Sequence, residues 1–424
     1  MSRIPIGIEE ILAAAHLSRR GVLTAAFGAG AALALGGEAF AKPSRAFEQW
    51  VARFRPYALK RGVSAATYDR VMRAISPDMS VFEALHAQPE FTEKMWQYIN
   101  RRCSDWRVLT GKERAREYAG LLDRIERAYG VDRYIMLGLW GMESSFGDVV
   151  TNMKYMRPIL PALAALAWRD PRRRRYWEAE LVHALIIVER GWAKPSQMIG
   201  SWAGAMGHTQ WMPEVWLHMG VDFDHDGRVM PFGKPDDALA GTARYLVDRG
   251  HYRRGEAWGC EVTLPQRFNV RYADNRTWRT YEAWHKRGIR RADGKPFARP
   301  HDRVKLWLPA RGGPAFLVGQ NFRAVYSYNP SLSYSLALVH LGDLIRGDPP
   351  FHRQFPGGER IPTLAEVKEI QRRLTERGFP TGGIDGRTGS QTVKAVLAFE
   401  RKVGMQPADG YIGLKVLARL RQAS

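Results

Sequence analysis

The chain has 424 residues, a net charge of +21 and 45% hydrophobic residues. This length and composition exclude a disordered chain and predict two or three globular, soluble domains. The positive charge predicts an anionic neighbourhood, such as nucleic acid, an acidic membrane surface or an acidic polymer.

The first 41 residues are predicted to be an export signal and not part of the fold. Residues 18–23 begin a twin-arginine pattern, a weakly apolar run follows, and residues 39–41 form an A-x-A cleavage site. The alternative is an N-terminal membrane anchor, but the apolar run is short for a membrane span. Export predicts a periplasmic protein, soluble or peripherally associated with the wall. The bacterial envelope then becomes the expected partner, and nucleic acid a poor one.

Segments 47–59, 64–75 and 113–129 are predicted to be helices, because their apolar residues recur at helical spacing. The aromatic-rich segment 91–99 lies between them. Their apolar stripes are most simply explained as core.

The sequence is organised around residues 137–147, which read LGLWGMESSFG. Asp132 is expected to cap a helix here, and Gly147 is expected to end it. Glu143 lies beside the apolar stripe of this helix, so partial desolvation is expected to raise its pKa, as a general acid near neutral pH requires. The alternative is a solvated glutamate at a helix end. The residues of the stripe are Ile135, Leu139 and Met142.

Two further helices are predicted at 159–168 and 177–190, joined by the basic run DPRRRR at 170–175. Four arginines in a first turn oppose the helix dipole. The run is therefore either a solvated face or a contact for substrate carboxylates.

Residues 201–213, SWAGAMGHTQWMP, combine glycine, tryptophan and small polar side chains. Glycines let a polymer approach the backbone closely, while tryptophan faces and a glutamine amide suit a sugar. A tightly packed glycine-rich turn is the alternative.

Residues 222–228 read DFDHDGR, the beginning of an EF-hand type of loop. Alternating carboxylates and a glycine turn suit Ca²⁺. Position twelve of a standard loop would be Gly233, so Asp236 or Asp237 would have to close a longer loop. An aspartate-rich turn without metal is the alternative. A helix is predicted at 236–248.

Residues 261–324 contain short β-like pieces and are predicted to form a small β-containing lobe. Segment 321–334 carries polar aromatic residues, and 335–345 is predicted to be a helix. Residues 347–362 hold four prolines and three glycines, which predicts a linker. Residues 363–424 are predicted to be a compact three-helix binding module.

Several motifs together resemble a known family. GMESSFG, SWAGAMGHTQWMP, DFDHDG with DDALAGTARYL, and YNPSLSYSLAL occur in this order and resemble the lytic murein transglycosylases of the membrane-bound B type. GIDGRTGSQTVKAVLAFERKVG and ADGYIG resemble the peptidoglycan-binding domain often fused to such enzymes. The resemblance implies a mostly α (α+β) fold, with a lysozyme-like helical core at 42–346 that includes the β-containing lobe, and the C-terminal peptidoglycan-binding module.

The resemblance also implies cleavage of the β-1,4 bond between N-acetylmuramic acid and N-acetylglucosamine, giving 1,6-anhydromuramic ends without water. By motif match, Glu143 is the sole catalytic acid and base. The positions that match the family's sugar-binding groove are Ser201, Gln210, Tyr245, Asn329 and Tyr334. Arg172 and Arg173 match its basic pair near the peptide stem. The positions that match its cation loop are Asp222, Asp224, Asp226 and Asp237, with the Arg228 carbonyl.

The implied partners are peptidoglycan glycan strands and stem peptides, with other cell-wall enzymes as further candidates. No cofactor is required for the chemistry, and Ca²⁺ would be structural. The chain departs from the family at His208-Thr209, where small or aromatic residues are commoner, at Trp211, which replaces a frequent phenylalanine, and in the longer arginine run. These departures affect the detail of the subsites and not the reaction.

A glycosidase with two carboxylates would need a second acidic group near Glu143. Asp148 is the nearest in sequence, and it is not an obvious partner. Participation of the substrate's 2-acetamido group removes that need. Cys103 and Cys260 are expected either to pair or to remain free thiols.

Overall fold

The computed structural model describes residues 44–86 and 93–422. The predicted signal peptide lies outside the described residues. Among the helices that the structure describes, none combines the length and the apolar character needed to cross a bilayer.

Helices provide most of the regular structure. In chain order the α-helices are α1 (Arg45–Leu59), α2 (Ala65–Met72), α3 (Val81–His86), α4 (Met95–Arg102), α5 (Asp105–Glu117), α6 (Ala119–Tyr129), α7 (Arg133–Ser144), α8 (Ile159–Arg169), α9 (Arg174–Glu189), α10 (Pro213–Met219), α11 (Asp236–Asp248), α12 (Tyr281–His285), α13 (Gln320–Tyr328), α14 (Leu332–Arg346), α15 (Leu364–Glu376), α16 (Ser390–Lys402) and α17 (Leu414–Gln422). The strands are β1 (Arg157–Pro158), β2 (Ile199–Gly200), β3 (Gly259–Thr263), β4 (Asp274–Thr280), β5 (Arg290–Arg291), β6 (Arg303–Trp307) and β7 (Ala315–Val318). Short 3₁₀ turns occupy Pro195–Gln197 and Val270–Tyr272.

The described residues divide into two compact units, each discontinuous in sequence. The first contains residues 44–86 and Glu143–Arg244. The second contains residues 93–142 and 245–422. Helices α7 and α11 run from one unit into the other along the chain.

In the first unit, serine caps begin α1 and α2. Ser44 Oγ accepts from the Phe47 amide at 3.3 Å, and Ser64 Oγ accepts from the Thr67 amide at 3.1 Å. Helix α8 is buried along almost its whole length and packs against α9, so these two helices supply much of the core. The short strands β1 and β2 pair in antiparallel fashion.

In the second unit, a five-stranded antiparallel sheet has the order β4-β6-β7-β3-β5. Cys260 pairs with Leu317, and Leu306 pairs with the same Leu317 from the other side. The apolar core of the lobe includes Trp284, which is fully buried on α12, and Ile289.

Also in the second unit, α7 and α14 approach each other through glycine. A Cβ on Gly138 would lie 2.5 Å from the Leu338 carbonyl oxygen, and one on Gly342 would lie 2.5 Å from the Tyr134 carbonyl oxygen. Any side chain at either position would push the two backbones apart, so these glycines set the position of α7.

The C-terminal helices α15, α16 and α17 share an apolar core of their own. A capping box at Thr363 and Glu366 begins α15. The loop before α17 contacts α4: Asp409 accepts from Gln97 Nε2 at 2.7 Å, and the Tyr411 hydroxyl accepts from Asn100 Nδ2 at 2.9 Å.

The structure differs from the predicted elements in three places. The helix predicted at 113–129 is broken at Tyr118, whose backbone leaves the helical region between α5 and α6. Helix α7 is buried on every side from Ile135 to Ser144, and not on one face only. Helices α3, α10, α12 and α13 have no counterpart among the predicted elements, because they are short or interrupted by polar aromatic residues.

Candidate active site

Glu143 lies at the C-terminal end of α7. The helix begins as predicted, because the Asp132 carboxylate accepts from the Tyr134 amide at 2.7 Å and so satisfies one unpaired donor of the first turn. Glu143 is only 3% exposed. The backbone thus holds this carboxylate away from bulk water, in the setting that a general acid requires.

The chain turns sharply after α7. Ser145, Phe146 and Gly147 have φ values of 53°, 61° and 93°, all in the left-handed region. The prediction that Gly147 ends the helix is wrong, because α7 ends at Ser144. The Gly147 amide instead donates to Ser144 Oγ at 2.9 Å. Two non-glycine residues in this conformation need tertiary support, which a local pattern does not reveal.

Ser201 lies on a closed loop of the first unit. Isolated β-bridges join Gly200 to Met206 and Met206 to Trp211, so the loop doubles back on itself. Ser201 Oγ accepts from the Ala205 amide at 3.2 Å. Among the described residues, the Ser201 hydroxyl proton has no acceptor, so it is available for a hydrogen bond.

Gln210 lies on the same loop in the left-handed conformation, with φ of 54°. Its Nε2 donates to the Gly207 carbonyl at 3.0 Å, whereas its buried Oε1 has no hydrogen-bond partner among the described residues. The buried Nε1 of Trp202 also has none. Buried polar atoms are normally paired, so this loop offers one acceptor and one donor to a ligand. The sequence analysis interpreted the tryptophans of this stretch as faces that suit a sugar, but it did not single out the indole N–H of Trp202 as a donor.

The second unit holds the other three predicted sugar-binding residues. The Tyr245 hydroxyl donates to the Ser327 carbonyl at 3.2 Å, and its ring lies edge-on to Tyr328 at 5.2 Å. Asn329 is buried, and its Oδ1 has no hydrogen-bond partner among the described residues. Tyr334 is buried at the start of α14. Asn329 is thus a second buried amide with an unused acceptor.

Asp170 organises the basic run before α9. Its carboxylate accepts from the amides of Arg172 and Arg173 at 3.0 and 3.4 Å, and from Trp177 Nε1 at 2.9 Å. Arg172 is exposed, and Arg173 approaches Asp170 at 3.6 Å. The run therefore presents a surface cation at Arg172, while Arg173 is partly neutralised.

Three of the predicted cation ligands converge. Asp222, Asp224 and Asp237 each offer a carboxylate oxygen, and these oxygens lie within 4.8 Å of one another. Asp226 is outside this group, and its Oδ1 accepts from the Arg228 amide at 2.9 Å. An all-oxygen donor set of this kind fits a hard cation such as Ca²⁺.

The same carboxylates also hold their own loop. Asp237 accepts from the amides of Phe223 and Met230 at 2.7 and 2.9 Å, one on each oxygen. Lys234 Nζ lies 3.0 Å from Asp224 Oδ2 and lowers the pKa of that carboxyl. A cation bound here would compete with the Lys234 ammonium for Asp224.

Both cysteines are free in the structure. Cys103 Sγ donates to the Ala337 carbonyl at 3.3 Å, and burial raises the pKa of the Cys260 thiol to about 12. Of the two alternatives that the sequence left open, the structure shows free thiols.

The residues match two family models. The transglycosylase SLT domain model matches residues 46–343, and a peptidoglycan binding domain model matches residues 363–420. The chain therefore belongs to the family of peptidoglycan lytic transglycosylases that carry the transglycosylase SLT domain, here followed by a peptidoglycan-binding domain. The predicted family and the mostly helical, lysozyme-like fold class are confirmed.

Individual relatives agree with this assignment. SltB3 from Pseudomonas aeruginosa, solved with NAG-anhNAM-pentapeptide, is 38% identical, covers 89% of this chain and 100% of its own, and gives a TM-score of 0.69. Membrane-bound lytic murein transglycosylase B of Escherichia coli is 29% identical over 234 residues, 54% of this chain. The match spans 61% of that relative's length. Escherichia coli Slt35, solved with calcium, is 24% identical over 71% of this chain and 93% of its own, with a TM-score of 0.59, and is similar in fold.

Proposed function

We propose that this chain cleaves the β-1,4 bond between N-acetylmuramic acid and N-acetylglucosamine in peptidoglycan and leaves 1,6-anhydromuramic ends. The observation that carries the proposal is the buried Glu143 at the end of α7, inside the segment that matches the transglycosylase SLT domain. SltB3 has been solved with both NAG-anhNAM-pentapeptide and NAG-NAM-pentapeptide. These ligands support the same substrate class here.

The other buried carboxylates of the first unit have structural partners. Among its described residues, Asp170 accepts backbone and indole N–H groups, Glu180 accepts from the Glu214 amide at 3.0 Å, and Asp237 accepts from two amides. A two-carboxylate glycosidase needs a second acidic group to stabilise or attack the anomeric carbon. Because these three are committed to turns and caps, we assign the chemistry to Glu143 alone.

The proposed reaction has two steps. The Glu143 carboxyl gives its proton to the glycosidic oxygen as the C1–O4 bond breaks, while the carbonyl oxygen of the 2-acetamido group bonds to C1. The Glu143 carboxylate then takes the proton of the C6 hydroxyl as O6 bonds to C1 and the acetamido oxygen leaves. No water is consumed, and Glu143 ends protonated as it began.

The remaining predicted residues have binding roles in this scheme. Hydroxyl groups of Ser201, Tyr245 and Tyr334 would orient the acetamido group and the C6 hydroxyl. The unused amide oxygens of Gln210 and Asn329 would accept hydrogen bonds from sugar hydroxyl or amide groups.

The test is turnover of purified peptidoglycan by Glu143→Gln. The substitution keeps the shape of the side chain and removes the transferable proton, so we expect the rate to fall by about 10²-fold or more. Asp148→Asn, at an exposed position, is the matched control and should leave the rate unchanged. If Glu143→Gln clears peptidoglycan as fast as the parent, Glu143 is not the acid and base. If the parent itself releases no product, the chain is a non-catalytic wall-binding protein.

Residues 363–424 are proposed to bind peptidoglycan, in agreement with the domain model that matches them. Arg172 and Arg173 are proposed to contact carboxylates of the stem peptides, since the chain as a whole carries a net charge of +21. Other cell-wall enzymes are proposed as further partners, and nucleic acid is not. Cosedimentation with sacculi should weaken when residues 363–424 are deleted.

We propose that the loop from Asp222 to Asp237 binds Ca²⁺ as a structural ion. The convergence of three carboxylates supports it, as does the calcium found with Slt35. Calcium should raise the melting temperature of the parent and not of Asp224→Ala. Asp226→Ala tests whether the fourth predicted carboxylate takes part, because its side chain stands outside the converging group.

Export by the twin-arginine route to the periplasm is proposed from residues 1–41, with cleavage after residue 41. Replacing Arg19 and Arg20 by lysine should leave the chain in the cytoplasm. A mature periplasmic product from that variant would contradict this route.

A further inference from the structure

We propose that His208 is a positioning residue that fixes the last turn of α7, and with it Glu143, against the segment Pro231–Gly233. The inference rests on the proposed function, in which Glu143 is the acid and base. All of the contacts that carry it lie within the first unit.

The first contact joins α7 to the loop of Ser201 and Gln210. Ser144, the residue next to Glu143, is fully buried, and its Oγ donates to the His208 carbonyl at 2.6 Å. The same oxygen accepts from the Gly147 amide at 2.9 Å. Ser144 therefore ties the end of the helix both to its own turn and to the backbone at residue 208.

The second contact joins His208 to the segment before α11. Its amide donates to the Pro231 carbonyl at 2.8 Å, and its Nε2 lies 2.8 Å from the Gly233 carbonyl oxygen. Because a carbonyl oxygen only accepts, the imidazole must carry its proton on Nε2. His208 thus uses its carbonyl, its amide and its side chain to bridge two segments.

The segment Pro231–Gly233, which His208 contacts, is itself fixed by neighbouring residues. The Met230 amide donates to Asp237 Oδ2 at 2.9 Å, one residue before Pro231. At Gly207, a Cβ would lie 1.9 Å from the Pro231 carbonyl oxygen, so the two backbones are in direct contact there. The segment Pro231–Gly233 is therefore a firm support against which His208 positions Ser144.

The functional consequence concerns kcat. A single acid and base that protonates O4 and then deprotonates O6 must reach two oxygens from one position, so small displacements of its carboxylate slow both steps. Misplacement by about 1 Å costs on the order of 10²-fold in rate. Ground-state binding of the sugars depends on other side chains and should change little.

The decisive experiment measures kcat and KM on a soluble peptidoglycan fragment for three histidine variants. His208→Ala removes the side-chain bond to the Gly233 carbonyl and should lower kcat by about 10-fold to 100-fold, with KM within twofold. His208→Gln places an amide donor near the position of Nε2 and should restore most of the loss. His301→Ala, at a side chain 86% exposed, should behave as the parent.

Coupling is tested by Ser144→Ala and the double variant with His208→Ala. Because both residues act through one connection, the double variant should lose little more than the worse single variant. If the two losses multiply, if His208→Ala keeps kcat within twofold of the parent, or if His208→Gln is as slow as His208→Ala, the proposal is wrong.

Three further outcomes can be distinguished from these. Should His208→Ala fail to fold, Ser144→Ala alone carries the test, and kcat within twofold of the parent would overturn the proposal. If Glu143→Gln stays active, the proposed function fails before His208 is considered. Loss of activity in Glu143→Gln with normal kcat in His208→Ala and Ser144→Ala would reject only the positioning role.

Discussion

Three buried polar atoms on predicted or neighbouring site residues have no hydrogen-bond partner among the described residues. They are Gln210 Oε1, Asn329 Oδ1 and Trp202 Nε1. Each unpaired buried group costs a protein about 1–3 kcal/mol of stability. A folded chain that retains such groups in sequence stretches rich in polar and aromatic residues is expected to pair them with a ligand. For a sugar polymer, which offers both hydroxyl donors and carbonyl acceptors, amide and indole groups are suitable partners.

Asn329→Ala tests this at one residue. We expect kcat/KM to fall by about tenfold, the equivalent of one lost hydrogen bond of about 1.4 kcal/mol, with no drop in melting temperature. The melting temperature should hold because the substitution removes an unpaired buried acceptor, and φ of −139° suits alanine.

Asn321→Ala is the matched control for Asn329→Ala. Asn321 is also a buried amide of the α13 region, but its oxygen accepts from the Arg253 amide at 2.7 Å, and its nitrogen donates to the carbonyls of Arg253 and Glu256 at 2.9 and 2.6 Å. Asn321→Ala should therefore lower the melting temperature, whereas Asn329→Ala should not. A lower melting temperature with normal kcat/KM in Asn329→Ala would contradict the binding role.

At this scale the sequence supplied the candidates but not their contacts. Glu143, Gln210 and Asn329 stand in motifs that resemble a family, so their positions followed from order and spacing. The bond from Ser144 to the His208 carbonyl joins residues 64 positions apart. No local periodicity predicts such a pair, because it depends on how the loop folds back.

Among the elements, the loop that carries Gln210 depends on a close backbone approach at Gly207. Gly207→Ala should lower the free energy of unfolding by about 2–4 kcal/mol, since φ of 74° is strained for alanine and the added Cβ would lie 1.9 Å from a carbonyl oxygen. Chemical denaturation of the parent and of Gly207→Ala measures this difference in the free energy of unfolding.

Gly191→Ala separates the two causes. Gly191 has nearly the same φ, 68°, but no heavy atom lies within 4 Å of its added Cβ. It should cost only the conformational strain, about 1 kcal/mol. Equal losses in the two variants would show that the contact with Pro231 does not matter.

The C-terminal helices have a titrating group of their own. Burial raises the pKa of Glu400 to about 7, although its carboxylate accepts from the Gly410 amide at 2.7 Å. The unfolded chain loses this proton near pH 4.5, so between about pH 4.5 and pH 7 the folded state binds more protons. Stability should therefore fall as pH rises through this window.

Glu400→Gln should reduce that fall, because the amide oxygen can still accept from Gly410 and carries no charge. Melting temperatures between pH 5 and 8 measure the effect. Glu369→Gln is the control. Arg421 and Arg373 lower the pKa of Glu369 to about 2, so the contribution of this carboxylate to stability is already complete above pH 5. This variant should therefore keep the fall in stability between pH 5 and 8. A parent protein whose stability rises across this range would contradict the account.

At the level of elements, helices with clear apolar spacing were well predicted. Helix α11 was predicted with its observed ends, and the three helices predicted for residues 363–424 are present as α15, α16 and α17. Errors arose where tertiary contacts override local preference. The break at Tyr118 coincides with an edge-on ring contact to Trp140 at 5.3 Å, and the all-round burial of α7 reflects packing that one stripe does not disclose.

For the whole molecule, the sequence indicated the family and the mostly helical class, because four motifs in a fixed order are more specific than any one of them. It did not indicate that the two compact units are discontinuous, with α7 and α11 shared between them. Nor did it indicate that the loop before α17 contacts α4, where Asp409 pairs with Gln97 and Tyr411 pairs with Asn100.

The central claim is that Glu143 works without a second carboxylate and without water. Mass spectrometry of the muropeptides released from purified peptidoglycan tests it most directly. The parent should release products lighter than hydrolytic ones by one water, with 1,6-anhydromuramic ends, and Glu143→Gln should release none. Release of ordinary reducing N-acetylmuramic acid by the parent would identify a hydrolase and contradict the account.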